Sequence, residues 1–181
     1  MTNTLRSTPH DRDAATKAEW SPAIHEHVRV SRRIDRPEAE VERMLRIEPD
    51  RLVRVAYGVD ATAAATVISL PLFGSLDAPR VPVRVEFLTP RPPRSAAIIS
   101  LKWQATFLNR YFPVLEADIA VLHGPELAGL ELNGTYLPPL GIAGLVFDRF
   151  VGRRIATAAA VGFVDALATA IELDDTAKGA A

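Results

Sequence analysis

At 181 residues the chain has the length of one domain, and a chain of this size buries roughly 70% of the surface its unfolded form exposes. A formal net charge of −1 supplies no basic field to attract nucleic acid or anionic lipid, and no basic stripe with interleaved aromatics is present. The absence of cysteine excludes disulfides, thiolate metal sites and cysteine nucleophiles, and it fits a reducing cytoplasm.

Residues 1–21 are polar, of mixed charge and without an apolar h-region, which predicts a disordered tail rather than a signal peptide. Residues 22–173 then form the domain, and residues 174–181 form a second tail. Residues 24–34 alternate as a half-buried strand: Ile24, Val28, Val30 and Ile34 share a face with Glu26, and His25, His27, Arg29, Arg33 and Asp35 take the other. Pro37 opens a helix, with Asp35 placed to cap it and Glu38 to complete a capping box; Val41, Met44 and Leu45 form its buried side. Residues 49–55 predict a second short helix.

Strand signals separated by turn residues follow at 66–73, 81–88, 95–107, 113–122 and 127–137. In the third of these, Ala97, Ile99, Leu101, Trp103, Ala105 and Phe107 line one face, and Ser100, Lys102, Gln104 and Thr106 the other. The short connections predict antiparallel neighbours. Tyr136-Leu137-Pro138-Pro139-Leu140-Gly141 ends the last strand, and a long apolar helix runs from there to about Leu173. One helix stripe is Leu145, Gly152, Ala156, Ala159, Phe163 and Leu167; a second is Phe147, Phe150, Val151, Ala158 and Val161. Together they cover most of the circumference, which predicts a helix covered on more than one side. Glycine in a helix interior costs about 1 kcal/mol relative to alanine, so Gly152 and Gly162 imply a close packing partner. Asp165 and the many alanines of residues 155–171 argue against a membrane span.

This order of elements and several motifs resemble the helix-grip fold of the START-like superfamily, in its polyketide cyclase/dehydrase and lipid-transport branch. Arg36-Pro37-Glu38-Ala39-Glu40-Val41 resembles the start of that family's first helix. Leu101-Lys102-Trp103-Gln104-Ala105, Tyr111-Phe112-Pro113, Asn133-Gly134-Thr135-Tyr136-Leu137-Pro138-Pro139-Leu140-Gly141 and Phe147-Asp148-Arg149 are similar to a bacterial subset of it. The resemblance implies an α+β helix-grip fold, a curved antiparallel β-sheet wrapped around a long C-terminal helix, with a hydrophobic cavity between the two.

Candidate chemistry is sparse. His25 and His27 share a strand face at a spacing that can bind metal, but no further ligand cluster accompanies them, so neither a metal nor another cofactor is expected. The serines lack a nucleophile-elbow context, and there is no phosphate-binding glycine loop. Glu26, a carboxylate on an apolar face, and Tyr136 are the two catalytic candidates, Glu26 as a cavity acid of raised pKa. Trp103, Phe107, Phe112, Tyr136, Phe147, Ile155, Ala159 and Phe163 are the expected ligand-lining residues. The expectation is a cytoplasmic carrier or sensor that buries a small hydrophobic or aromatic molecule, lipid- or polyketide-like. Two alternatives stand beside it: a cyclase or dehydratase acting on a small carbonyl compound, and an interaction module or homodimer without a ligand.

Overall fold

A computed structural model describes residues 25–60, 65–71, 79–88, 98–107, 112, 114–124, 127–137 and 152–174. In chain order the elements are β1 (Glu26–Arg33), α1 (Glu38–Ile47), α2 (Pro49–Tyr57), β2 (Thr66–Pro71), β3 (Arg80–Phe87), β4 (Ile98–Ala105), β5 (Val114–Leu122), β6 (Gly129–Leu137) and α3 (Arg153–Leu173). Strands β2 to β6 pair with their sequence neighbours as an antiparallel meander, and β1 adds to β6, giving the order β1-β6-β5-β4-β3-β2. The α1–α2 pair therefore carries the chain from one edge of the sheet to the other. Helix α3 packs against both edge strands, β1 and β2, and against β6 and α2. A helix that touches the two opposite edges of one sheet requires that sheet to curl around it.

The alternation of the strands decides which residues line the curl, because successive side chains point to opposite faces. Leu101 and Trp103 of β4, Leu115 and Ile119 of β5, and Leu130 and Leu132 of β6 are each at most 1% exposed. Ser100, Lys102, Glu116 and Asp118 stand on the convex face, where Lys102 bonds Glu116 at 2.9 Å and Ser100 bonds Asp118 at 2.6 Å. Gly134 lets the strands approach closely: a Cβ there would lie 2.6 Å from the Ala117 Cβ and 2.7 Å from the Glu116 carbonyl oxygen.

Three sequence expectations change. Asp35 does not cap α1. Pro37 itself holds the extended cap position, its carbonyl accepting from the Glu40 and Val41 amides, and the Asp35 amide donates to Glu172 at 3.2 Å. Helix α2 continues to Tyr57 and stops at Gly58, whose φ of 61° is the left-handed conformation that glycine adopts without steric cost. Strand β4 ends at Ala105 rather than 107. The Thr106 amide donates to the Pro82 carbonyl at 3.0 Å, but Pro82 has no N–H to return the bond, so the ladder stops. Phe107 leaves the sheet and is 53% exposed. The proposed starts or ends of elements at 24, 72–73, 95–97 and 138–151 lie outside the described residues, as do both predicted tails apart from Asp174.

Along α3, Ile155, Ala156, Ala159, Ala160, Phe163, Val164, Leu167, Ala168 and Ile171 are buried. Apart from Arg153, Arg154 and Leu173 at its ends, exposure is confined to a narrow stripe through Thr157, Val161, Asp165 and Thr169, so Val161 departs from its predicted covered stripe. Among the described residues α3 is the one helix long and apolar enough to cross a membrane, and half of that segment is buried inside the protein. The predicted partner of Gly162 is Pro71, whose ring lies 3.0 Å from where a Cβ would stand.

Arginines hold the C-terminal half of α3. Arg36, only 8% exposed, donates to the carbonyls of Glu172 (3.0 Å) and Asp174 (2.8 Å) and pairs with Glu40. Arg32 shares the inward side of β1 and donates to the Asp165 carbonyl at 2.8 Å, with Thr169 and Glu172 also within reach. Arg51 pairs with Asp174. The last four carbonyls of a helix lack intrahelical partners, and the C-terminal end of the dipole attracts cations. Hydrogen bonds to a charged group are worth about 1.5–3 kcal/mol each. Arg36→Ala is therefore expected to lower unfolding stability by about 2–4 kcal/mol in urea titration, with Arg36→Lys recovering only part. A loss below about 0.5 kcal/mol contradicts this role.

Candidate functional site

The register brings one row of side chains together across all six strands: Thr66 opposite Val85, Val85 opposite Trp103, Trp103 opposite Leu115, Leu115 opposite Tyr136, and Tyr136 opposite Glu26. Because all six occupy directly opposed positions, they share the inward face. Directly opposed Cβ atoms stand about 5 Å apart. The row is apolar through its middle and polar at its two ends. At one end Thr66, 3% exposed, donates its hydroxyl to Asp50, which also accepts from Arg54. At the other end Tyr136 is 1% exposed and Glu26 is half-buried.

Helix α3 closes over this row. Phe163 meets Trp103 with ring centroids 5.3 Å apart and planes tilted by 56°, an edge-to-face arrangement that aromatic quadrupoles favour. The turn before Phe163 carries only Ala156, Ala159 and Ala160 on the buried side, each at most 2% exposed. Three methyl groups fill little of the space a leucine or phenylalanine would take. Trp103, Tyr136 and Phe163 are each at most 1% exposed.

On the other side of Phe163 stands Tyr57 of α2, stacked at 6.2 Å and 25°. Its hydroxyl donates to the Gly162 carbonyl at 3.4 Å. Burial pushes its phenol well above the usual range; Arg80 opposes this and Asp165 adds to it. Tyr57 therefore acts as a hydrogen-bond donor at neutral pH.

Of the expected ligand-lining residues, the fold brings Trp103, Tyr136, Ala159 and Phe163 onto the enclosed interior, and Phe112 (4% exposed) and Ile155 (9%) into the same core. Phe107 does not join them, for the reason given by Pro82. Phe147 lies outside the described residues. The two catalytic candidates, Glu26 and Tyr136, face each other across β1 and β6. Sequence reading missed Thr66, Leu115 and Tyr57. The first two follow once the register is known. Tyr57 carried a weaker signal: it closes a helix whose apolar side runs through Leu52 and Val53.

His25 and His27 are exposed at the start of β1. His123, 77% exposed, pairs through Nδ1 with Glu38, which raises its pKa above the usual imidazole value. Among the described residues no group of three or more His, Asp or Glu side chains comes together as a metal site. A shallow groove on the convex face is lined by Arg84, Glu86, Lys102, Gln104 and Thr106. It belongs to the solvated charge ladder of the sheet's outer surface and lacks the apolar lining of a small-molecule site.

No protein-family model matches the chain, and no curated protein does. Solved structures do. The chain is similar to the ginseng major latex-like protein 151 of Panax ginseng, at 9% identity over 82% of this chain and 95% of that one, with a TM-score of 0.51. It is similar to norcoclaurine synthase of Thalictrum flavum at 9% identity over 96% and 100%, with a TM-score of 0.50. It also matches DynU16, from the dynemicin biosynthetic locus, at 18% identity over 81% of this chain and a TM-score of 0.47; the chain spans about half, 47%, of that protein's length. At these identities the likeness is one of architecture, and it agrees with the curled sheet and closing helix described above: the chain has an α+β helix-grip fold.

Proposed function

We propose that this protein binds a small hydrophobic or aromatic molecule, lipid- or polyketide-like, between the sheet and α3, as a cytoplasmic carrier or sensor. The observation that carries the reading is the cross-strand row Val85–Trp103–Leu115–Tyr136, which meets α3 through Phe163 on Trp103, next to a buried turn of that helix reduced to alanine. Apolar surface with a few polar groups at its ends is the composition of a small-molecule site. Burying apolar ligand surface contributes about 25 cal/mol per Å² before the costs of ordering. The fold shared with a major latex-like protein and with norcoclaurine synthase supports an interior of this kind. The missing cysteines support a reducing compartment.

The opposition of Glu26 and Tyr136 favours one second reading. A carboxyl group and a phenol on directly opposed residues, whose Cβ atoms stand about 5 Å apart, can bring a proton donor and an acceptor to one carbonyl substrate. That is the arrangement a cyclase or dehydratase requires. In this reading Tyr136 orients or polarises the carbonyl and Glu26 moves the proton.

Thermal unfolding across a panel of fatty acids and aromatic polyketides tests the binding reading. A ligand at a hundredfold excess over its Kd adds about 2.7 kcal/mol, which raises Tm by about 5–10 °C for a chain of this length. Ala159→Phe, which puts a ring where only a methyl group stands on the buried side of α3, is expected to abolish the shift while costing about 1–3 kcal/mol of stability. A panel without any shift, or an Ala159→Phe protein that binds like the wild type, contradicts the proposal. For the enzymatic reading, Glu26→Gln is expected to remove turnover of any substrate found without removing its binding, and an unchanged rate takes Glu26 out of the mechanism.

A further inference from the structure

Of the chain's three asparagines, Asn133 alone precedes a glycine. Asn-Gly is a strong signal of a hairpin turn, because both residues tolerate positive φ. Here the pair lies instead within β6, a strand paired on both sides, with Gly134 opposite Val28 of β1 and Ala117 of β5. Packing explains the glycine: a Cβ at 134 would stand 2.6 Å from the Ala117 Cβ and 2.7 Å from the Glu116 carbonyl oxygen. The asparagine has no such reason. Its side chain is exposed on the convex face, in register between Arg29 and Asp118, and makes no hydrogen bond with another described residue.

Asparagine is a chemically labile residue, and a following glycine makes it more so, since no Cβ hinders attack by the next backbone nitrogen. In that reaction the Gly134 nitrogen bonds to Asn133 Cγ. The side-chain amide nitrogen leaves as ammonia, taking the proton of the Gly134 N–H, and a cyclic succinimide remains. Water then opens the ring at either carbonyl. One product is aspartate; the other is isoaspartate, in which the main chain runs through Cβ. Ring closure requires the chain to turn until the Gly134 nitrogen reaches Cγ. In β6 the backbone is extended, and side chains stand out from the sheet. Each N–H of a strand paired on both sides is also committed to one ladder or the other.

We infer that Asn133-Gly134 is a deamidation site closed by the native sheet, and that it makes prolonged unfolding of this protein irreversible. Release of β6 frees the Gly134 N–H and lets the chain turn. Both products then fit the sheet poorly. An aspartate formed there stands directly opposite Asp118, and like charges directly opposite one another destabilise a strand pair. Arg29, on the other side, is already engaged by Glu131. Isoaspartate adds an atom to the main chain immediately before Gly134, so the alternation of β6 fails beyond it. Gly134 then no longer meets Ala117, and Tyr136 loses the register that sets it opposite Leu115 and Glu26. A molecule that stays open is thereby lost from the native population, which limits kinetic stability. The inference is independent of any ligand in the interior.

Incubation of the intact chain in mildly alkaline buffer, with and without guanidinium chloride, tests this directly. Mass spectrometry of the peptide containing Asn133 reads the mass gain of amide-to-acid conversion. Conversion is expected to be at least about tenfold faster in denaturant, since the native sheet must open first. Equal rates overturn the closure. After the denaturant is removed, unconverted chains are expected to recover the native circular dichroism spectrum, and isoaspartate chains separated by chromatography are not. Isoaspartate chains that refold overturn the consequence. Asn133→Gln, whose longer side chain closes its ring far more slowly, is expected to keep its refolding yield after the same exposure. A loss equal to that of the wild type assigns irreversibility to another lesion and overturns the inference. If Asn133→Gln does not fold, the two rates and the refolding of the separated wild-type chains decide the matter.

Discussion

The grip of arginine on the last turn of α3 is the interaction on which the remaining architecture depends. A helix end leaves carbonyls without partners and carries the negative end of the dipole. Here Arg36, buried at the β1–α1 junction, takes two of those carbonyls, and Arg32 and Arg51 add charge from β1 and α2. The three arginines come from three different elements. Together they fix where α3 ends relative to the sheet edge and the helix pair, and hence how the helix crosses the concave face. Toward its other end the helix is held differently. From Arg153 to Val161 no side chain makes a hydrogen bond or ion pair with another described residue, and contact is through alanine and Ile155. The polar anchors lie at one end of the helix and the small side chains toward the other.

That asymmetry gives the interior its character. Where Phe163 fills the space above Trp103, the core is aromatic and tightly covered. One helical turn earlier the buried side chains of α3 are Ala156, Ala159 and Ala160. Close-packed interiors resist change in volume, so a ligand that enters this region must substitute for packing atoms rather than occupy open water-filled space. A planar aromatic molecule is well matched to that demand, because it replaces flat apolar contacts with flat apolar contacts. Polar groups stand at the margins of this apolar interior, Tyr136 with Glu26 on one side and Tyr57 on the other.

Much of this architecture was legible in the sequence, and the reasons are local. Strand alternation has a period of two, so the inward positions of β1, and of β4 as far as Ala105, could be assigned before any partner was known, and the proline-rich breaks marked where pairing stops. The same rule failed at Phe107 because alternation in one strand says nothing about its neighbour: the ladder ends at Thr106 for want of an N–H on Pro82, 24 residues away. The arginine grip was invisible for a related reason. Arg36 and Glu172 are 136 residues apart, and a lone arginine beside a proline carries no mark of a helix end. Arg32 shares its strand face with Glu26, Val28 and Val30, and an arginine among inward-facing residues is itself a signal of a long-range anion or carbonyl partner. Tyr57 was missed because stacking on Phe163 depends on how α2 crosses α3, which follows from packing and not from the periodicity of either helix.

The central claim is that the space between the sheet and α3 holds an apolar or aromatic molecule. Native mass spectrometry of the intact protein purified from its own host tests this most directly. The account predicts a retained small molecule of aromatic or lipid character, lost together with its mass shift in Ala159→Phe. Wild-type protein that repeatedly carries no added mass, and shows no change on exposure to lipids or aromatic polyketides, would contradict it.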